Sequence, residues 1–535
     1  MRWFVILLLA CNAPDRGPRF QAAGSPEPRM GGELRIAIKD GVRTLDPAIA
    51  YDESSWLPVH PMHDTLVDYD AGTQLVPRLA ARWDVSADGL VYKFTLRDGL
   101  RYSDGQPIVA ADFVTSLERA LTSPESPFGS FLVDVAGASE VLAKQASHAS
   151  GFAAATDREL AIRLVRPNAA FLYVLAMPFA APIPATHVAK AGNDLRRLPL
   201  ASGPYELVAW DEGQRLVLRK NPHYHDPARQ RIERVTILEN VPRDTQFLLF
   251  ERGELDAVER LSLTAPDYTW ITNEPAWAPY VHRRAGLNAF GSRMDVRLKP
   301  FDDRRVRQAL NYALDKRSTL KLLNGGAVTA HGLLPPGTFG RDDTLAPYPY
   351  DPEKARALLA EAGYPRGFTV EYMTIADEDA EKLAQSLQSD LAKIGVRVSI
   401  ALVSFATYAT AVGKPGQVPF SYQGWFGDFP DPTSFFDPKF HSRAISEENA
   451  SNDTGYRNPA IDALIDQARA TLDPRKRAAM YREVERVLYD DAPWIFDYHR
   501  MTVEVTQPYV RGYEPHPIWL RDFTPAWLDR TDGGL

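Results

Sequence analysis

Between residues 368 and 402 the hydrophobic period of the chain changes twice, and this constrains its fold more than any other stretch. Phe368, Val370 and Tyr372 alternate with polar residues at the two-residue period of a strand. Leu383, Leu387, Leu391 and Ile394 then recur at helical spacing, and Gly395 stops the run. Val396, Val398, Ile400 and Leu402 return to alternation. Strand, helix and strand in that order predict a βαβ unit with parallel, right-handed strands, so the second half of the chain is of α/β type.

Helices with the same signature flank this unit. Val306, Ala309, Leu310, Ala313 and Leu314 mark one face between Asp303 and Lys316. Asp351-Pro352 starts a helix that Gly363 ends, and Asn458-Pro459 and Asp473-Pro474 start two more. The first half reads differently. Strands are expected at 33–38, 91–96, 205–210, 215–219 and 232–238, with helices through Phe113, Leu117 and Leu121 and near 243–252. Residues 500–535 read as loops and short strands with aromatics. At 535 residues the chain exceeds what one hydrophobic core organises, so two or three domains are expected.

The net charge of −8 leaves no electrostatic footprint for nucleic acid. No Gly-x-Ser-x-Gly elbow, phosphate-cradling glycine loop or His-Glu-x-x-His motif occurs, so neither an enzyme nor a cofactor or metal site is expected. His60 and His63, three apart, lack further ligands, and His223 and His225 lie in a polar loop.

The single cysteine is placed informatively. Met1-Arg2 is followed by an apolar stretch from Trp3 to Ala10 and then by Leu8-Leu9-Ala10-Cys11. A basic start, a short apolar run and a small residue before the cut describe an export signal. The last four residues resemble the lipobox of bacterial lipoproteins. That resemblance implies cleavage after residue 10 and lipidation of Cys11, which would hold the protein on the membrane. Residues 11–30, rich in Pro, Gly and Arg, read as a flexible tether.

A second constellation lies at 425–440: Trp425-Phe426-Gly427-Asp428-Phe429-Pro430-Asp431-Pro432, then Phe435-Phe436-Asp437-Pro438 and Phe440. Three prolines and a glycine predict a loop rather than a helix. Its six aromatics either pack beneath the loop or line a cavity. An acid among aromatics binds a cation well, because a low local dielectric strengthens the pair.

Seven segments, colinear over nearly the whole chain, resemble the family 5 extracellular solute-binding proteins, the peptide-binding components of ABC importers. They are IKDGVRTLDP (38–47), WDVSADG with LRDGLRYSDG (83–105), SGPYEL (202–207), FDDRRVRQALNYALDK (301–316), KARALLAEAG (354–363), Gly424–Phe440 and NPAIDALIDQAR (458–469). The resemblance implies a periplasmic binding protein-like fold of cluster C type: two α/β lobes joined by a hinge, with a third domain inserted in lobe one. Lobe one is expected at 31–60, 200–285 and 500–535, the inserted domain at 61–199 and lobe two at 286–499. It further implies that Asp428 pairs with a ligand α-ammonium and that Gly424, Trp425 and Phe426 offer main chain to an extended peptide. Phe405 would line the pocket, and the Gly41–Thr44 turn, including Val42, would touch the ligand from the other lobe. One position departs from the family pattern. Tyr422 stands where an arginine often precedes the Gly-Trp pair, leaving the ligand carboxylate without an assigned partner; Lys414, Arg443 and Arg293 are candidates. The implied protein is a monomeric, lipid-anchored, extracytoplasmic capture subunit that serves importer permeases. Two alternatives stay open: a binder of another solute (opine, sugar, metal chelate or haem), and a lipid-anchored receptor or chaperone-like protein without an import role.

Overall fold

The polar residues that punctuate the sequence act as caps. Asp303, Asp351, Asn458 and Asp473 each accept main-chain N–H bonds at the start of helices Arg304–Ala313, Pro352–Glu361, Pro459–Ala470 and Pro474–Asp491. Strand Thr369–Ile375 pairs in parallel with Arg397–Val403 in the register Thr369↔Arg397, and helix Glu378–Ala392 connects them. This is the predicted βαβ unit. The computed structural model describes residues 17–414 and 416–530; the export signal and Cys11 lie outside them.

The molecule consists of two α/β lobes with a third domain inserted in the first. In the first lobe Glu33–Ala37 pairs in parallel with Arg234–Leu238, and Arg215–Lys220 and Tyr205–Asp211 extend that sheet antiparallel. The inserted domain carries an antiparallel sheet in the order Ala80–Val85, Val91–Leu96, Glu159–Arg163, Phe152–Thr156. The amphipathic helix Ala110–Thr122 buries Phe113, Leu117 and Leu121. In the second lobe the βαβ pair continues through Phe420–Phe426 to Asn288–Met294.

The long strand Trp494–Thr506 joins the lobes. Its first half pairs with Asn288–Met294 and Ala327–Thr329, and its second half with Val281–Ala285 and Ala257–Glu259. The change of partner falls at Gly286 and Arg500, where Gly286 N–H donates to Arg500 O at 3.2 Å and Asn288 Nδ2 donates to the same oxygen at 3.1 Å. Two adjacent strands crossing at one level form a hinge geometry. The sequence reading missed this strand, having placed loops and short strands from residue 500. Asp497, His499, Arg500 and Glu504 break its apolar alternation, and three of the four are settled by tertiary partners. Asp497 accepts from Thr319 (3.1 Å), the His499 ring lies 2.7 Å from Asn288 O, and Glu504 pairs with Arg521 (2.7 Å).

Two further readings need correction. Residues 433–440 are helix, not loop. Pro438 lacks the N–H that would bond Ser434 O one turn back, and the indole N–H of Trp425 supplies that bond at 2.7 Å. The tether is also not free over its described part. Ala23 and Gly24 donate main-chain N–H groups to Asp529, Arg29 donates to Arg530 O, and the Phe20 ring meets Tyr509 edge-on. Main-chain bonding of this kind leaves no apolar period to read. No helix among the described residues is long and apolar enough to cross a membrane.

Candidate functional site

The strand Phe420–Phe426 exposes part of one edge. Gly427 N–H donates to Leu287 O at 2.8 Å, and main-chain groups alternate sides along a strand. Trp425 and Gln423 therefore point their amides at the Asn288–Met294 strand, while Phe426, Gly424 and Tyr422 point theirs away. On that outer edge the next strand touches only at Met373↔Ser421. Tyr408 Oη donates to Tyr422 O at 2.5 Å, and the Gln423 side chain donates to Gly424 O at 3.1 Å. The Gly424 N–H and both main-chain groups of Phe426 have no partner among the described residues. This short bare edge can accept an extended chain.

Glycine at 424 has a packing reason. A Cβ there would lie 2.5 Å from the Phe290 ring, which stacks on Tyr498 at 5.1 Å and cannot yield easily. Gly424→Ala is expected to cost about 1–3 kcal/mol of stability through overpacking, read as a lowered unfolding midpoint by circular dichroism.

Immediately beyond the edge stands Asp428. Its main-chain N–H donates to Ser434 Oγ at 2.7 Å, fixing the turn. Its carboxylate accepts from Tyr51 Oη at 2.5 Å, and Ser434 Oγ is 3.5 Å away. Tyr51 belongs to the first lobe, just before helix Glu53–Met62, so the bond spans the gap between lobes. Burial pushes the Asp428 carboxyl up to about 6, against the downward pull of Tyr51 and Ser434. Asp428 thus lies half-buried in a cavity shared with Tyr51, Phe131, Trp425 and Arg469, about 1260 Å³ with its mouth included. A neighbouring cavity of about 1330 Å³ opens between the lobes and is lined by Trp56, Phe426, Glu53, Glu259, Arg260 and Arg500 among others.

The predicted site residues separate into two groups. Asp428, Trp425 and Phe426 line these cavities, with Gly424 on the strand beside them. Of the six aromatics, Phe429, Phe435, Phe436 and Phe440 are core, and Phe426 is exposed to the cleft. Val42 and Phe405 require correction. Val42 is buried in the first-lobe core, where its N–H donates to Glu239; Ile38, Lys39 and Asp40 face the cleft in its place. Phe405 opens helix Phe405–Val412, is 71% exposed, stacks on Tyr408 and lines neither cavity.

The three candidate partners for a ligand carboxylate are also elsewhere. Arg293 is buried and donates to Asp453 O and Val418 O. Arg443 pairs with Asp437 and Asp466, and Lys414 lines neither cavity. Asp431 faces inward to Arg477, so it does not pair with Asp428 in the cleft. His60 stacks on Trp519, and burial lowers the His63 imidazole to about 4. No cluster able to hold a metal ion occurs among the described residues. Several cationic residues do line the cleft, Lys39, Arg243, Arg260, Arg500 and Arg521; of these, Arg260 and Arg500 sit in segments whose local sequence gives no signal.

Comparison with known proteins places this geometry. The model described as bacterial extracellular solute-binding proteins, family 5 Middle, matches residues 74–447. The dipeptide-binding protein of Escherichia coli (strain K12) is 30% identical, with 88% of this chain and 89% of that protein covered. Heme-binding protein A of Haemophilus influenzae is 29% identical, with coverages of 98% and 97%. The solved structure of clavulanic acid biosynthesis oligopeptide binding protein 2 superposes with a TM-score of 0.86 at 27% identity, covering 96% of this chain and 99% of that one.

Proposed function

Because the chain belongs to the bacterial extracellular solute-binding proteins of family 5, we propose that it is the extracytoplasmic capture subunit of an ABC importer and that its cargo is a short peptide. The observation that carries this reading is the Asp428 corner: a half-buried carboxylate in the gap between the lobes, directly beyond a bare strand edge. A peptide adding to that edge bonds the main chain of Gly424 and Phe426 without its side chains being read. Its α-ammonium then reaches Asp428. A cargo that touches both lobes favours their closed arrangement, because it binds that state better than the open one. The permease engages the closed protein, and lipidation at Cys11 keeps it at the membrane.

The similarity to a heme-binding relative favours one second reading, haem as cargo on the same fold. Mass spectrometry of the material carried through native purification, followed by thermal shifts with dipeptides, tripeptides and haem, separates the two. A saturating ligand stabilises by mass action, about 2.7 kcal/mol at a hundred times its Kd. Peptides are expected to raise the unfolding midpoint and haem to leave it unchanged; the reverse result refutes the peptide reading.

The raised pKa of Asp428 gives this reading a pH signature. An ammonium binds the ionised carboxylate, so peptide affinity is full above about 6 and is lost as the pH falls through that value. Below it, binding releases close to one proton. Calorimetry at pH 5 in buffers of different ionisation enthalpy measures that release.

A further inference from the structure

The sheet of the second lobe ends at strand Arg397–Val403, and that edge is left open. Arg397 N–H donates inward to Phe368 O, and Val403 O accepts from Ala376 N–H, both at 2.8 Å. The odd-numbered residues therefore bond the neighbouring strand, and the main-chain groups of Val398, Ile400 and Leu402 point outward. Among the described residues, only the Gln388 side chain meets this row, donating to Val398 O at 2.7 Å. A carbonyl oxygen has a second lone pair, so the row stays open. The other edges are covered, short or broken. Asp256 covers strand Glu33–Ala37, donating to Arg35 O at 2.8 Å and accepting from Arg35 N–H at 2.6 Å. Ala257–Glu259 is three residues long. Tyr205–Asp211, Ala80–Val85 and Phe152–Thr156 each shift register, at Leu207/Ala209, Ala80/Arg82 and Ala154/Thr156. Short strands, bulges, prolines and charges are how sheets avoid pairing edge to edge. Arg397–Val403 runs seven residues in unbroken register, without proline and with one charge, Arg397, at its start.

The open row is complementary to itself. Turned about a two-fold axis at Ile400, two copies pair antiparallel as Val398↔Leu402, Ile400↔Ile400 and Leu402↔Val398. Each pair exchanges two main-chain hydrogen bonds. A two-fold contact uses the same patch on both copies, so pairing stops at the dimer. The side chains agree with this register. Val398 and Ile400 pack on the face covered by helix Glu378–Ala392, and Leu402 continues that face but is exposed. Pairing sets each Leu402 against Val398 of the partner subunit. The charges agree as well. The Arg397 side chain donates to Thr369 Oγ1 at 3.3 Å, and no carboxylate among the described residues is within ion-pair distance of it. In the paired register Arg397 stands across from Val403 of the partner subunit. The bond from Ala376 N–H ties that strand end to the turn carrying the exposed Asp377, so opposite charges meet there. Phe405, left in solvent on a single copy, follows two residues after Val403 and comes to the same junction.

We propose that Arg397–Val403 is a self-association edge, through which two copies of this chain join their second-lobe sheets about a two-fold axis at Ile400. At about 3.3 Å per residue the contact is about 23 Å long. It is smaller than the interfaces of permanent dimers, so the pairing is weak and concentration-dependent. It uses no residue of either cavity, so its test leaves the peptide reading untouched.

Sedimentation velocity of the purified chain from about 1 µM to about 1 mM tests it, with a monomer–dimer midpoint of roughly 10–500 µM expected for so small a contact. A chain that stays monomeric throughout, or that grows beyond the dimer, overturns the proposal. Leu402→Pro removes an outward N–H that no internal bond uses, once in each copy, and proline is tolerated on such an edge. Dimerisation is expected to weaken about tenfold or more, while the circular dichroism spectrum is kept. A dimer of unchanged affinity in this variant overturns the proposal. Ile400→Cys sets two thiols on the axis, where the Cα atoms of a hydrogen-bonded pair stand about 5.5 Å apart, within disulfide range. Mild oxidation is expected to cross-link this variant well beyond the wild type, whose single cysteine is Cys11. No excess of cross-linked dimer overturns the register and the proposal with it. Should the proline variant not fold, Arg397→Glu sets like charges together at both ends of the contact; it must weaken dimerisation by about threefold or more, or the assignment fails.

Discussion

Replacing Asp428 by alanine is expected to weaken binding of free-amine peptides roughly 30- to 150-fold, about 2–3 kcal/mol, and to leave N-acetylated peptides nearly unaffected. The size follows from the site. The carboxylate is half-buried beside Trp425 and Phe131, where an opposite charge interacts more strongly than in bulk water. The selectivity follows from chemistry, since an acetylated terminus carries no charge and loses nothing when the carboxylate goes. Two companions separate charge from shape. Asp428→Asn keeps a hydrogen-bond acceptor for Tyr51 but not the charge, so it is expected to behave like the alanine variant toward free amines. Tyr51→Phe removes the 2.5 Å bond across the gap but keeps the charge, so the preference for a free amine persists. Calorimetry on the two peptide series gives the answer; equal losses for both series would reduce Asp428 to a structural residue.

That Asp428 would lie at a cavity wall was legible from sequence because its chain neighbours are local. The run from Trp425 to Pro432 is dense in aromatics, acids and proline, and its resemblance to the family carries a residue-by-residue role. The helices were legible for the same reason: their caps at Asp303, Asp351, Asn458 and Asp473 and their apolar faces all lie within a few residues. What could not be read is what only tertiary structure assembles. Glu53, the adjacent pair Glu259 and Arg260, and Arg500 come from three separate segments, and each alone looks like an ordinary charged surface residue. The strand Trp494–Thr506 was hidden because its polar residues are satisfied by distant parts of the chain rather than by water. Val42 and Phe405 were misplaced because a matching position fixes neither which way a turn faces nor where a helix begins. Val42 turned into the core, and Phe405 came to lie on the first turn of a helix with its ring in solvent.

The corner that holds Asp428 rests in turn on a buried ion pair between Asp431 and Arg477. Asp431, with no exposed surface, is gripped by Arg477 through contacts of 2.6 and 2.7 Å, and the same carboxylate accepts from Thr433 N–H at 3.0 Å to start helix Thr433–Phe440. That helix carries Ser434, whose hydroxyl fixes the main chain of Asp428 and whose carbonyl receives the indole of Trp425. Arg477→Met leaves a buried carboxylate without its counter-charge, a change that costs about 3–5 kcal/mol. The expected result is a lower unfolding midpoint with a parallel loss of peptide affinity, as the turn from Gly427 to Ser434 loosens. The double variant Asp431→Asn/Arg477→Met removes both charges and retains an oxygen for the Thr433 cap, so it is expected to recover most of the stability and much of the binding. A stable, fully binding Arg477→Met single variant would show that the turn is held by its own hydrogen bonds, and that the positioning of Asp428 does not depend on the Arg477–Asp431 pair beneath it.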